Sequence, residues 1–136
     1  MTALTDRTLI PRPQMVVAHA NAAYAKSVSR HYHRLGWDCR LASSQLEARQ
    51  LVRELSPAVV VLGTDWPGES GWLICGKLLD EHSDLKVVLV TENATHADRR
   101  FACFLGASLV NEEDGVPALA EEVETGGEGQ LLVVGN

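Results

Sequence analysis

The side chains with the capacity for chemistry are few: five histidines, three cysteines and scattered loop carboxylates. His19, His31, His33, His82 and His96 lack metal-ligand spacing, and the closest pair, His31 and His33, diverges on a helix. His19 stands alone at the end of an apolar run. An imidazole there is able to hold a metal or act as a base, but is more often a hydrogen-bonded packing group. Cys39, Cys75 and Cys103 are odd in number, widely spaced and set in apolar segments. That pattern predicts buried free thiols in a reducing cytoplasm, not a disulfide framework or a zinc site. No nucleophile elbow, Walker loop or GxGxxG is present, and the stretch from Gly63 to Gly71 lacks the Lys-Ser or Lys-Thr of a phosphate cradle. With no nucleophile–base set, the chain is expected not to be an enzyme and to need neither cofactor nor metal.

Charge narrows the partners. The formal net charge is −6 and no run of Lys and Arg forms a patch, so direct nucleic-acid binding is disfavoured. No apolar run reaches the ~18 residues that span a bilayer, so no membrane partner is expected. The first residues lack the apolar core of a signal peptide. The length, 136 residues, suits one domain.

The elements that must position these groups alternate. Residues 1–13, with Pro11 and Pro13, are expected to form a flexible arm. Met15–Ala18 and Ala58–Leu62 are apolar runs that suit strands buried in a parallel sheet, and Cys39–Ala42, Lys86–Thr91 and Ala107–Val110 are expected as further short strands. Between them lie helical patterns. Tyr24, Val28, Tyr32 and Leu35 share one face, with Asn21 as cap and Gly36 as stop. A second stripe joins Ala48, Leu51, Val52 and Leu55, opened by a capping box from Ser44 to Glu47 and closed before Pro57. A third buries Leu73, Ile74, Leu78 and Leu79, and a fourth Ala97, Phe101, Ala102 and Leu105. Pro117 lies in the first turn of a last helix through Val123. Five βα units predict an α/β fold: a doubly wound, five-stranded parallel sheet of order 2-1-3-4-5 in a three-layer α/β/α, flavodoxin-like sandwich. It spans residues 14–124. Residues 125–136 form a Gly-rich tail in which Leu131–Val134 is a strand candidate.

In such a sheet ligands meet the carboxyl ends of the strands. Four segments there carry a set of spacings: MVVAHAN (15–21), VVVLGTDWPGESGW (59–72), VVLVT (87–91) and FLGASLVNEE (104–113). With Pro67, Gly71, Thr91 and the Gly106-Ala107 step taken together, they resemble the receiver (CheY-like) domain of response regulators. The resemblance implies a bacterial two-component signalling role. In that family an acidic pair and an acceptor Asp hold Mg²⁺, the Asp takes a phosphoryl group, and a Lys and the metal neutralise the charge. This chain departs from that set. His19 and Ala20 stand for the acidic pair, Gly63 for the acceptor, and Asn111 or Glu112 for the Lys. Leu109 or Val110 stands for the aromatic switch residue. Only Thr91 remains. The resemblance is therefore to a degenerate, pseudo-receiver member that acts by phosphorylation-independent protein–protein interaction.

The partner implied is a protein: a kinase, a regulator or a second copy in a homodimer. The expected surface is the fourth helix to the fifth, with Arg99 and Arg100 opposite Glu112 and Glu113, and with Trp66 beside the crevice. Two rivals remain. Asp65, two residues past Gly63, is a displaced phosphoacceptor candidate, against its simpler role as a turn residue bonding locally with Thr64. The vacated site is otherwise a small-ligand pocket lined by His19, Thr64, Trp66 and Thr91.

Overall fold

The computed structural model describes residues 12–66 and 68–124. The arm, up to residue 11, and the tail with its Leu131–Val134 run lie outside the described residues. Strand β1 (Gln14–Ala18), helix α1 (Ala22–Arg34), β2 (Asp38–Leu41), α2 (Gln45–Leu55), β3 (Val59–Gly63), α3 (Gly71–Glu81), β4 (Lys86–Thr91), α4 (His96–Leu105) and β5 (Ser108–Asn111) follow in order. A short 3-10 turn, Glu112–Asp114, then leads into helix α5 at residues 115–124.

The strands form one parallel sheet in the order β2-β1-β3-β4-β5, as predicted. Met15 lies opposite Val59, Val60 opposite Val87, and Leu89 opposite Leu109. Every residue of β3 is buried, which explains its unbroken apolar sequence. Alternate residues feed two cores. One face of the sheet packs Val16, Val60, Leu62 and Leu89 against Ala48 and Val52 of α2, Ile74, Cys75 and Leu78 of α3, and Ala102 of α4. The other packs Met15, Val17, Val61 and Val90 against Tyr24, Val28 and Tyr32 of α1 and Leu119 of α5.

Helix ends follow local chemistry. Asn21 Oδ1 accepts the N–H groups of Ala23 and Tyr24. Ser44 accepts the Glu47 N–H, but the Glu47 carboxylate turns to Ser43 rather than closing the predicted box. A complete capping box lies instead at Thr95 and Asp98. Ser56, left-handed at φ 48°, ends α2 before Pro57.

Three helix faces differ from expectation. On α1, Leu35 is the C-cap and is 57% exposed, outside the buried stripe of Tyr24, Val28 and Tyr32. Leu73 is 51% exposed, and Cys75 takes the inward place on α3. Ala97 is exposed and Phe101 is 47% exposed, so Ala102 alone is buried on α4. Phe101 packs instead on Trp72, ring centroids 5.3 Å apart, and Phe104 stacks beyond it. Of the thiols, Cys75 is buried, Cys39 half-buried and Cys103 exposed, which corrects the expectation for Cys103.

Candidate functional site

The ends of β1, β3 and β5 meet at His19. Its side chain is only 7% exposed and sits in a fixed frame. Nδ1 accepts the backbone N–H of Asn21 at 2.9 Å. That nitrogen therefore carries no proton, and the neutral ring holds its hydrogen on Nε2. Nε2 lies 3.2 Å from Glu112 Oε1. The other oxygen of Glu112 accepts from Asn21 Nδ2 at 2.7 Å. The ring also lies 4.8 Å from Tyr24. Burial lowers the His19 pKa below its usual 6.5, against the opposing pull of Glu112, Asp65 and Glu92.

Gly63 faces this ring. A Cβ built on Gly63 would stand 2.9 Å from His19 Cδ2 and 3.2 Å from Cγ. The imidazole thus occupies the space into which any side chain at residue 63 would grow. Gly71 is constrained more severely: a Cβ there would lie 2.8 Å from Thr64 Cα and run into the Gly63 carbonyl oxygen. The loop between them is closed by main chain, with Thr64 N–H on the Val90 carbonyl (2.9 Å) and Gly71 N–H on that of Thr64 (3.1 Å).

The other candidates are spread around this centre. Ala20 and Asp65 are exposed, Thr91 is half-buried, and Thr64 is buried beneath the loop. Asn111 and Glu112 divide the work at the end of β5. Asn111 Oδ1 accepts the Ala94 N–H at 2.8 Å and pins the β4–α4 turn, while Glu112 turns to His19 and Asn21. Trp66 is half-buried and shares a crevice with His19 and Leu41. Of the four residues of the predicted pocket, His19 and Trp66 line this crevice. Arg99 is committed to its own fold, donating to the Leu109 carbonyl at 3.3 Å. Arg100 and Glu113 are exposed, and the acidic run to Asp114 forms its own turn instead of the first turn of α5.

No family model matches the sequence, and no curated protein matches it. Solved structures do match. The receiver domain of Francisella response regulator 1452 superposes with a TM-score of 0.75 at 17% identity, over 82% of this chain and 93% of that one. A Burkholderia pseudomallei response regulator, solved with a phosphorylated aspartic acid, calcium ion and citrate, gives 0.75 at 21% identity, over 88% and 71%. The fold is that of response-regulator receivers. Thermotoga maritima DrrB, an OmpR/PhoB homolog, gives 0.77 at 21% identity over 88% of this chain, which spans about half (54%) of that chain.

Where the resemblance puts an acidic pair, this chain has the neutral His19 and Ala20; where it puts a Lys, this chain has Asn111 or Glu112. The residues do not suit the family's Mg²⁺. A hard cation takes several oxygen ligands, yet His19, Ala20 and Gly63 offer no side-chain oxygen, and Glu112 is held by two donors. Among the described residues no cluster of His, Cys, Asp and Glu has metal-binding geometry. Two features escaped sequence reasoning: the second role of Asn21 and the fit of Gly63 to His19. Asn21 was visible as a cap, but its partner Glu112 lies 91 residues away.

Proposed function

We propose that this chain is a receiver-fold signalling module that works without aspartyl phosphorylation, by docking a protein partner. One observation carries the proposal: the His19 imidazole fills the space in front of Gly63 and is bracketed by Asn21 and Glu112. A phosphoacceptor needs a nucleophilic carboxylate at that point, a metal beside it and a cation to neutralise the transferred charge. Here a neutral ring, a glycine and a carboxylate stand in those places. The exchange keeps β1, α1 and β5 tied together at the strand ends by internal groups. The reading places the chain in two-component signalling in a bacterial cytoplasm, since the receivers it superposes on belong to response regulators.

The partner is a kinase, a regulator or a second copy, met on α4, β5 and the turn that follows. Arg100 and Glu113 are exposed charged groups of that face, Arg99 and Glu112 frame it, and Trp66 borders the crevice.

The test is tryptophan emission during addition of Mg²⁺ and then beryllofluoride, a phosphoryl mimic. Trp66 sits next to Asp65 and reports on the loop. A flat trace is expected. A saturable change that disappears in Asp65→Asn would overturn the proposal and make Asp65 the acceptor.

A further inference from the structure

A crevice of about 510 Å³ opens between α1, the end of β2 and the β3–α3 loop. That volume falls within the range of small-molecule sites, about 300–1,000 Å³. Its place follows from the strand order. In a 2-1-3-4-5 sheet the chain turns to opposite sides after β1 and β3, and the crevice outside their carboxyl ends is where such sheets take ligands. His19 follows β1 directly, and Trp66 follows β3.

The lining has a definite chemistry. Trp66 supplies a ring, His19, 7% exposed, offers only its edge, and Leu41, 44% exposed, supplies an aliphatic side. Ala25 and other small α1 residues leave the floor shallow. One lining side chain is charged: Lys26, exposed on α1 and without an ion-pair partner among the described residues. Rings favour a flat aromatic body, which they contact at low entropic cost. A lone ammonium at the rim of an apolar crevice favours one anionic group.

We propose that this crevice binds a planar aromatic anion, its ring held by Trp66, His19 and Leu41 and its charge by the Lys26 ammonium. This site shares Trp66 with the border of the partner face but takes nothing from α4 or β5, and its failure would leave that reading standing.

The probe is indole-3-acetate, with indole-3-acetamide as the uncharged isostere, titrated into the full ¹⁵N-labelled chain. The Trp66 indole N–H signal is assigned by its loss in Trp66→Phe. Indole-3-acetate should move that signal saturably and leave those of Trp37 and Trp72 in place. The amide should bind more weakly by up to about fivefold, as should the acid to Lys26→Gln, because an ion pair with an exposed ammonium contributes no more than that factor. Lys26 is exposed, so the variant keeps the fold. No saturable shift at millimolar probe, equal binding of acid and amide, or unchanged binding to Lys26→Gln would each overturn the proposal.

Discussion

Gly63 and His19 are a matched pair, and the match has a measurable cost when broken from one side. Gly63→Asp puts a Cβ 2.9 Å from the imidazole and a carboxylate behind it. Overpacking of this kind costs about 1–3 kcal/mol, with a further penalty for the buried charge. The urea midpoint should fall in Gly63→Asp and recover in the double variant with His19→Ala. An equal midpoint for Gly63→Asp and the parent would show that the ring moves aside freely. His19 also sets a pH dependence. Its folded pKa is lowered by burial from 6.5, so the folded ring stays neutral while the unfolded one takes a proton. The unfolded state then binds more protons, and stability declines as pH falls below about 6.5. Urea midpoints at about pH 7.5 and 5.5 should differ less in His19→Gln than in the parent.

At the scale of elements, Asn21 joins two structures with one side chain. Its Oδ1 caps α1, and its Nδ2 holds Glu112 beyond β5. Asn21→Ala should cost about 1–2 kcal/mol by loss of the cap. Asn21→Asp keeps an oxygen for the cap but sets a carboxylate against Glu112. Its deficit should be relieved by Glu112→Gln, which a double-mutant cycle in thermal unfolding would detect. Most elements were legible because each has a local cause. Unbroken Val-rich runs marked the buried strands, and Asn21, Gly36 and Pro57 marked helix limits. The inner faces of α3 and α4 were less legible. A large ring counts as core in a periodicity pattern, yet Phe101 finds its partner, Trp72, on the surface. The site was legible as a set of departures, but not as an arrangement. Nothing local to Asn111 or Glu112 says which one turns to His19; that depends on where the turn after β5 sends each side chain.

Across the whole molecule, apolar side chains fall into two groups that the composition does not separate. Leu62, with no exposed surface in β3, belongs to the core; Phe104, 82% exposed on α4, does not. Leu62→Ala should cost about 2–5 kcal/mol by transfer and cavity terms. Phe104→Ala should stay within about 0.5 kcal/mol. Chemical unfolding of both variants checks the contrast, and a large loss in Phe104→Ala would mean that the ring packs in solution. Leu73, Phe101 and Phe104 thus present apolar surface to solvent. The fit between Gly63 and His19 reaches past any single molecule, to the paths open to a lineage. An acidic residue at 63 is opposed while the histidine stands, and a smaller residue at 19 gives up the contacts to Asn21, Glu112 and Tyr24. Each change is adverse without the other. The present state is therefore held by the order in which mutations must arrive, and drift alone, one substitution at a time, meets a barrier in that direction.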